Sequence, residues 1–356
     1  MKTPYNFSQK INIGGKTIGE DYPCVIIAEV GVNHNGDVKL AKKHIDAAAA
    51  AGADIVKFQT FITEEFLSEK NEVYEYVNNG KIVKENMFDM FKRLEFTKNQ
   101  FSELSDYCKK KNILFLSTPC DIESMNMLLN IGMPALKISS DDLINIWFFE
   151  AAAKAGVPII FSTGMADENE IEIAVEILKK NRCRDAIALH CTSVYPTPEN
   201  EVNLNRMKHI SKRFGVLTGF SDHTCGISAA AGSAFMGAVI IEKHFTISRK
   251  LPGPDHAFSM VPEELRTLKI KISEAEILKG EGKIKPSMSE ETVRKKFRRS
   301  IVASRNLKSG DKIKTSDICF KRPGAGLQPY LYKKIIGRTL KRNITPNSYI
   351  LFSDLK

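Results

Sequence analysis

The chain has 356 residues, of which 43% are hydrophobic and 26% charged, the composition of a soluble globular protein that can bury a large core. No apolar run approaches the roughly 20 residues of a membrane-spanning helix, and the N-terminal segment MKTPYNFSQKINIGG lacks the apolar core of a signal peptide. Seven scattered cysteines without a CxxC pair exclude a disulfide scaffold and argue against structural zinc. We therefore expect a cytoplasmic protein with reduced thiols and no membrane partner.

The net charge of +10 is concentrated near the C-terminus. From Lys285 onward there are 18 Lys and Arg against 5 Asp and Glu, whereas the preceding residues carry 34 basic and 37 acidic groups. A basic segment can bind nucleic acid, but this one lacks interleaved aromatic residues and any recognised binding motif. An anionic small substrate, or an acidic face of a partner subunit, explains the charge as well. We expect no nucleic-acid partner.

A short hairpin and eight apolar strands are predicted over the first 280 residues. The hairpin is INIGGKTI, residues 11–18, with a Gly-Gly turn. Helix-like stretches separate the eight strands, and nearly every strand ends in polar residues. The strands are predicted at Val25–Val30, Asp54–Phe58, Ile113–Ser117, Ala135–Ser139, Pro158–Ser162, Ala186–Cys191, Val216–Phe220 and Ala238–Lys243. Eight βα units with functional groups at the strand C-termini are typical of a (β/α)8 TIM-barrel enzyme of the α/β class. We expect residues 1–280 to form this catalytic domain, with the hairpin at its bottom.

Three further segments complete the predicted organisation. The longest strand-to-helix connection, residues 61–86, contains Tyr74 and Tyr76 and is either a lid over the barrel mouth or a surface insertion. Residues 281–299 are polar and charged and are predicted to be a linker. Residues 300–356 alternate turns with short β-type runs, at Ser300–Ala303, Ile318–Lys321 and Tyr349–Phe352, which predicts a small, mostly β domain.

Two histidines at neighbouring strand ends indicate a metal site. His223 ends the seventh strand and His244 the eighth, so both imidazoles can reach one ion such as Mn²⁺, Zn²⁺ or Fe²⁺. A carboxylate from Asp222, Glu29 or Asp255 could join them. The alternative is a pair of structural, hydrogen-bonded histidines.

Two lysines at strand ends indicate either an anion site or a Schiff base. Lys57 and Lys137 lie at the ends of the second and fourth strands, where a buried cation is costly unless it is paired. A Schiff base needs a lysine with a depressed pKa in a dry site. The hydroxyl groups nearby favour a cradle for a phosphate or carboxylate. They belong to Thr118, Ser139, Ser140, Ser162 and Ser221.

Two carboxylates are candidates for acid–base chemistry or sugar binding. Glu29 ends an apolar strand, where burial should raise its pKa and suit it to proton transfer. It could instead be a structural partner of Lys57. Asp255 follows Pro252-Gly253-Pro254, a turn that would hold it rigidly over the barrel mouth. Cys191, also at a strand end, is interpreted as a packing residue.

The chain resembles the sialic acid synthases, namely N-acetylneuraminate synthase and the relatives that make legionaminic and pseudaminic acids. The resemblance runs from about residue 24 to the C-terminus. It is carried by IAEVGVNHNGD, VKFQTF, FLSTPCD, LKISSDDL, STGM, LHCTSVYPTP, GFSDHTCG, EKHFT, PGPDHAFS, RRSIVASRNLKSGD and KRPGAG. It implies a (β/α)8 barrel followed by a small antifreeze-protein-like (SAF) domain.

The resemblance also implies a reaction. Phosphoenolpyruvate condenses with an N-acylated amino sugar, such as N-acetylmannosamine, in its open-chain aldehyde form. Carbon C3 of phosphoenolpyruvate attacks the aldehyde, water adds at C2, and phosphate leaves by C–O cleavage. A divalent metal, Mn²⁺ or Mg²⁺, acts as a Lewis acid. The lysines of such an enzyme bind an anion and form no Schiff base.

Individual roles follow from the matched motifs. The metal ligands are His223 and His244, which count as catalytic together with Glu29. Arg322, in KRPGAG, is the arginine that a domain-swapped homodimer would insert into the neighbouring barrel. The phosphoenolpyruvate cradle comprises Lys57, Thr118, Lys137, Ser140, Ser162 and Ser221. The sugar side comprises Glu29, Gln59, Ser193, Tyr195 and Asp255.

The exact sugar is left open by one position. Ser193 stands where some N-acetylneuraminate synthases have Asn, and Ser also occurs in relatives that act on diacetamido sugars. A legionaminic or pseudaminic acid synthase acting on a diacetamido-trideoxy hexose is therefore the alternative. A more distant one is a non-catalytic binding protein on the same fold.

Overall fold

The computed structural model describes residues 5–78 and 80–356. It divides into two compact units, Met1–Gly280 and Glu281–Lys356, which are described separately below.

The first unit is a (β/α)8 barrel of parallel strands, as predicted from the sequence. Neighbouring strands follow the order β7-β4-β3-β12-β11-β10-β9-β8, and β7 and β8 lie side by side to close the ring. The eight strands are β3 (Val25–Gly31), β4 (Ile55–Thr60), β7 (Leu114–Pro119), β8 (Leu136–Ile138), β9 (Ile159–Ser162), β10 (Ala186–Cys191), β11 (Leu217–Asp222) and β12 (Ile240–His244).

Most of the helices cover the outside of the barrel. Those of the first unit are α1 (Val38–Ala51), α2 (Thr63–Phe66), α3 (Met87–Leu94), α4 (Lys98–Lys110), α5 (Ile122–Asn130), α6 (Ile146–Ala153), α7 (Glu168–Lys180), α8 (Asn205–Phe214), α9 (Ser228–Phe235) and α10 (Pro262–Lys279). Because helices lie outside and side chains fill the interior, strand residues are buried on both faces, and all seven residues of β3 are buried.

The helix boundaries follow local sequence signals. The Asp37 side chain accepts a hydrogen bond from the Lys39 amide at the start of α1, which ends at Gly52 in the left-handed conformation with φ 92°. Reciprocal capping boxes begin α4, through Thr97 and Gln100, and α7, through Asp167 and Glu170.

The N-terminal hairpin lies at the end of the barrel where the strands begin. Strands β1 (Ile11–Ile13) and β2 (Lys16–Ile18) pair antiparallel around Gly14 and Gly15. Gly14 approaches Leu114, the first residue of β7, so closely that an added Cβ would lie 2.7 Å from its Cδ2. The hairpin therefore covers the bottom of the barrel, opposite the strand C-termini.

The long connection after β4 contains a second hairpin. Strands β5 (Val73–Asn78) and β6 (Lys81–Asn86) pair antiparallel and lead into α3. A separate buried cluster supports this region: Val32, Phe61, Met90 and Leu94.

The second unit is small and mostly irregular, with short strands and its own core. Strands β13 (Ser300–Ala303) and β14 (Ile318–Lys321) pair antiparallel. The expected third run, Tyr349–Phe352, is not a strand, because only Tyr349 makes an isolated bridge, to Val302. Helix α11 (Met288–Phe297) occupies most of the segment predicted to be a linker. Among the described residues, no helix is long and apolar enough to cross a bilayer.

Candidate active site

A cavity at the C-terminal ends of the barrel strands brings together the site residues predicted on the barrel. Because eight parallel strands end at the same rim, side chains far apart in sequence meet there. The cavity is lined by Glu29, Lys57, Gln59, Thr118, Lys137, Ser140, Ser162, Ser193, Tyr195, Ser221, His223 and His244. Asp255 lines an adjoining compartment that shares Gln59, Phe91, Tyr195 and His244 with this cavity.

Lys57 is fully enclosed by anionic and hydroxyl groups. Its Nζ lies 2.7 Å from Glu29 Oε2, 3.7 Å from Glu242 Oε2, and donates to Thr118 Oγ1 at 2.8 Å. Burial disfavours the ammonium, but the carboxylates of Glu242 and Glu29 outweigh it and raise the pKa of Lys57. Lys57 is therefore a stable buried cation.

Lys137 has fewer compensating charges. Its Nζ donates to Ser162 Oγ at 2.7 Å and to the Ile138 carbonyl at 2.9 Å, and lies 3.9 Å from Glu242 Oε1. Burial outweighs the attraction of Glu242 and lowers the pKa of Lys137. An incoming anion would remove this imbalance.

Glu242 is a site residue that the sequence analysis missed. Its carboxylate lies between the two lysines and accepts a hydrogen bond from Ser221 Oγ at 2.9 Å. Burial alone would raise its pKa, but Lys137 and Lys57 lower it, so it is ionised. The signal was present: alternation along β12 places Glu242 on the same face as His244.

Asp222, considered above as a metal ligand, has a different role. Its carboxylate lies 2.8 Å from Lys243 Nζ and accepts from the Thr224 amide at 2.9 Å. Alternation along β11 and β12 directs this pair away from the cavity, because Ser221 and Glu242 are the lining residues. Asp222 is a structural partner of Lys243.

Glu29 and Asp255 are the two carboxyl groups with raised pKa values. Burial raises the pKa of Glu29 to about 7, although Lys57 opposes the shift. Burial likewise raises the pKa of Asp255 to about 6, with His223 opposing. Both groups can hold and release a proton near neutral pH.

Gly31 explains how the sugar-side residues approach one another. Gln59 Nε2 donates to Glu29 Oε1 at 3.3 Å. A Cβ added to Gly31 would lie 3.2 Å from Glu29 Oε1, 3.3 Å from Gln59 Nε2 and 3.4 Å from Asp255 Oδ2. Because Gly31 has φ +54°, a side chain there would be both strained and crowded.

The loop that carries Asp255 is anchored behind the site. The Asp255 carbonyl accepts from Ser259 Oγ at 2.6 Å, and Asn33 Nδ2 donates to Ser259 Oγ and to the Phe245 carbonyl, each at 3.0 Å. Asn35 Nδ2 donates to the Pro252 carbonyl at 2.7 Å. These bonds attach the loop to the segment after β3 and limit its movement.

The serine side of the cavity depends on a second close approach. Ser140 Oγ accepts from the Gly164 amide at 3.0 Å. A Cβ on Gly164 would lie 2.7 Å from Ser140 Oγ and 2.2 Å from Ser193 Oγ. Gly164 therefore leaves room for both hydroxyls, and Ser193 lines the cavity beside the phosphoenolpyruvate cradle predicted above.

The two histidines lie side by side, with ring centroids 5.6 Å apart. His223 Nδ1 donates to the Thr192 carbonyl at 2.9 Å, so in the neutral ring the lone pair is on Nε2, which lies 3.5 Å from Ser221 Oγ. Tyr195 packs on the His223 ring, with centroids 4.1 Å apart. A carbonyl that fixes the tautomer in this way is the usual support of a metal-binding imidazole.

His244 has a buried nitrogen without a partner. Its Nδ1 lies 3.6 Å from Asp255 Oδ2 but makes no hydrogen bond to any described residue. Burial lowers the pKa of His244 well below its usual value, so the ring is neutral. Burial opposes the protonated form of His223, but its contact with Cys191 raises the pKa of this ring. When neutral, the two imidazoles are suitable ligands for a divalent transition-metal ion. Within the part of the chain that the structure describes, no group of three or more His, Cys, Asp or Glu side chains forms a metal cluster.

Arg322 lies in the second compact unit. Its side chain is exposed, and its guanidinium lies 5.1 Å from the centre of the Phe297 ring. Its predicted role in a partner's barrel remains a prediction.

Comparisons with known proteins agree with this architecture. The NeuB family profile matches residues 44–284, and the SAF domain profile matches residues 298–356. The chain is 39% identical over 353 residues to the N,N'-diacetyllegionaminic acid synthase of Legionella pneumophila, covering 98% of this chain and 99% of that one. It is 42% identical over 347 residues to the uncharacterized protein MJ1065 of Methanocaldococcus jannaschii, covering 98% and 99%.

A solved structure supports the same relationship. The N-acetylneuraminic acid synthetase of Leptospira borgpetersenii superposes with a TM-score of 0.73 at 39% identity, covering 82% of this chain and 96% of that one. The chain therefore belongs to the NeuB family of sialic-type acid synthases, with a SAF domain at its C-terminal end.

Proposed function

We propose that this enzyme condenses phosphoenolpyruvate with an open-chain N-acylated amino sugar to form a nine-carbon sialic-type acid and phosphate. The observation that carries the proposal is the buried arrangement of Lys57 and Lys137, ringed by hydroxyls, beside His223 and His244 at the barrel mouth.

The lysines are suited to hold a phosphate and a carboxylate rather than to form an imine. Lys57 is paired with Glu29, which keeps it protonated and therefore not nucleophilic. Lys137, with its lowered pKa, is the better imine candidate. Its Nζ is nevertheless engaged by two hydrogen-bond acceptors, Ser162 Oγ and the Ile138 carbonyl, and lies among the hydroxyl groups that favour an anion site.

Two carboxyl groups at the site can carry out the proton transfers that the reaction requires. Carbon C3 of phosphoenolpyruvate bonds to the aldehyde carbon, water supplies the new C2 oxygen, and phosphate departs by C–O cleavage. The aldehyde oxygen gains a proton and the attacking water loses one. Glu29, with a pKa raised to about 7, and Asp255, with a pKa raised to about 6, can exchange protons at their carboxyl oxygens near neutral pH.

A divalent ion would be held by His223 and His244, whose imidazole nitrogens fit it as described above. When bound, Mn²⁺ or Mg²⁺ supplies Lewis-acid polarisation of a carbonyl oxygen. The residues of the chain orient both substrates and exclude water from the developing bond.

The sugar is either N-acetylmannosamine or a diacetamido-trideoxy hexose. The second is at least as well supported, because a relative named N,N'-diacetyllegionaminic acid synthase is as similar in sequence as the structural neighbour named N-acetylneuraminic acid synthetase. Ser193 at the cavity wall agrees with a diacetamido sugar, as the resemblance implied.

We also propose a domain-swapped homodimer, in which Arg322 enters the partner's barrel, and a cytoplasmic location. Both are carried over from the sequence analysis and rest on the family resemblance and on composition.

A phosphate-release assay tests the proposed function. Phosphoenolpyruvate and Mn²⁺ are combined with N-acetylmannosamine, with 2,4-diacetamido-2,4,6-trideoxymannose and with its altrose isomer, one at a time. We expect phosphate release and a nine-carbon acid with one of the three, and none from the Lys137→Met variant. The absence of phosphate release with all three sugars, from folded protein that binds phosphoenolpyruvate, would favour the non-catalytic binding protein.

A further inference from the structure

A buried ion pair lies behind the two histidines, on the face of the strands opposite the cavity. Lys243 of β12 and Asp222 of β11 are direct partners in the strand ladder, and Nζ lies 2.8 Å from Oδ2. Their side chains are only 2% and 0% exposed. Such a pair is a poor source of stability, since apolar side chains of similar volume often stabilise a core as well. Its position in the fold indicates a different use.

Each member of the pair directly precedes one of the histidines. Asp222 is followed by His223, and Lys243 is followed by His244. Because successive residues point to opposite faces of a strand, the ion pair lies on the outer face and the imidazoles line the cavity. A contact between the two outer residues therefore fixes the main chain from which both imidazoles project.

Both members of the pair also hold the turn that carries His223. Asp222 Oδ1 accepts from the Thr224 amide at 2.9 Å, and Lys243 Nζ donates to the Thr224 carbonyl at 2.7 Å. The main chain is thus held on both sides of His223, while the ring itself donates to the Thr192 carbonyl. Lys243 reaches this turn from the neighbouring strand.

The His244 ring has less support of its own. It packs near Tyr195 and Phe258, with ring centroids 5.7 and 5.1 Å apart, but its Nδ1 makes no hydrogen bond to any described residue. Its position therefore depends on packing and on the main chain beside Lys243. That main chain pairs with β11 on one side and β3 on the other.

We infer that Asp222 and Lys243 are positioning residues, which set the separation of the two imidazoles and thereby the affinity of the site for a divalent ion. The inference rests on the proposed function, in which His223 and His244 hold that ion. Two ligands on different strands bind one ion well only when supporting contacts fix them relative to each other. The ion pair joins β11 to β12 at the residues that precede the histidines, and so supplies this support.

Direct titration with Mn²⁺ tests the inference without any turnover. The full-length chain is titrated by calorimetry in the absence of substrates. Lys243→Met removes the contacts to Asp222 and Thr224 and should raise the Kd for Mn²⁺ by about 10–100-fold, the usual effect of losing an outer support of a metal ligand.

A double variant keeps the test decisive if Lys243→Met alone does not fold. Asp222→Asn combined with Lys243→Met leaves no unpaired buried charge, and the new amide oxygen can still accept from the Thr224 amide. We expect this variant to fold and still to bind Mn²⁺ at least about tenfold more weakly than wild type.

Asp54→Asn is the matched control, because Asp54 also pairs with lysines but lies at the other end of the barrel. It should lower stability and leave the Kd for Mn²⁺ at the wild-type value. An equal loss of Mn²⁺ affinity in this control, or a wild-type Kd in the folded double variant, would overturn the inference. Wild-type protein that binds no Mn²⁺ would instead contradict the proposed metal site itself.

Discussion

The buried charges of the site balance one another. Lys57 and Lys137 face Glu29 and Glu242, and the exposed fraction of each of these residues is at most 6%. Each buried charge is stabilised by neighbouring opposite charges rather than by water. Removal of one partner therefore leaves another charge uncompensated. The site thus depends on four residues from four strands.

The two lysines should bind phosphoenolpyruvate without forming an imine. Borohydride reduction of the enzyme with both substrates present should leave Lys57 and Lys137 unmodified by mass spectrometry. Lys57→Met or Lys137→Met should weaken phosphoenolpyruvate binding by about 2 kcal/mol or more, measured by calorimetry, because a buried charge pair is lost. Lys39→Met, at an exposed position on α1, is the control. A reduced pyruvyl adduct on either site lysine would contradict this prediction.

The two histidines should bind the divalent ion. Removal of metal with a chelator should abolish turnover, and Mn²⁺ should restore it. His223→Ala and His244→Ala should each also lower the affinity for Mn²⁺ in a direct titration, whereas His209→Ala, at an exposed position of α8, should not. Full turnover after verified metal removal would show that the reaction needs no metal ion at these histidines.

At the scale of elements, Asp54 joins four parts of the barrel bottom. It precedes β4, and its carboxylate lies 2.8 Å from Lys16 Nζ in β2, accepts from the Ile26 amide of β3 at 2.9 Å, and lies 3.3 Å from Lys269 Nζ of α10. Burial alone would raise the pKa of Asp54, but the bonds from Lys16 and Ile26 together with the charge of Lys269 lower it. The hairpin is attached to the barrel partly through this one carboxylate.

Asp54→Asn should destabilise the barrel at neutral pH but not in acid. Since the folded-state pKa lies below the ordinary value of 3.8, the ionised carboxylate stabilises the folded state above that pH. The contribution is lost as pH falls through the folded-state pKa. Urea unfolding near neutral pH should show a loss of about 1.5–3 kcal/mol, typical of hydrogen bonds to a charged group.

The difference between Asp54→Asn and wild type should shrink on acidification. Asp21→Asn, at an exposed position, is the control and should leave stability unchanged at either pH. A difference that is the same in acid would mean that the charge of Asp54 contributes nothing.

At the scale of the whole molecule, the charge is distributed unevenly between the two compact units. The barrel unit has the strand-end chemistry, and the second unit has its own small core of Ile301, Leu307, Ile313, Leu340, Ile350 and their neighbours. The excess positive charge lies in the second unit, where Arg322 is exposed. A planar guanidinium can hydrogen-bond the acyl or hydroxyl groups of a sugar.

Arg322→Ala should raise the KM for the sugar far more than the KM for phosphoenolpyruvate, without unfolding the protein. If the arginine acts in the partner's barrel, co-expression of Arg322→Ala with Lys57→Met chains should restore activity. A random mixture would contain about a quarter of the wild-type number of intact sites, since only the mixed dimers have one. No restoration in verified mixed dimers would contradict action between subunits, and the two parent variants are the controls.

Much of the fold follows from local sequence. Eight apolar runs, each bounded by turn or cap residues, locate the barrel strands within a few residues, because a parallel strand is buried on both faces. The second unit was harder: Met288–Phe297 looks like a polar linker yet forms a helix with a Ser287 cap, and Tyr349–Phe352 looks like a strand yet makes one bridge. Exposed helices and single bridges leave little hydrophobic pattern to detect.

The sequence alone determined the barrel, the order of its strands along the chain and the residue types at their C-terminal ends, because hydrophobic period and end chemistry are local properties. The tertiary structure decided which of those residues form ion pairs with one another. The role of Glu242 depends on two lysines from other strands, and Asp222 pairs with Lys243 rather than with a metal. It also decided that Tyr74, distant in sequence from Phe258, faces the same compartment. Such contacts depend on barrel closure, which no local pattern encodes.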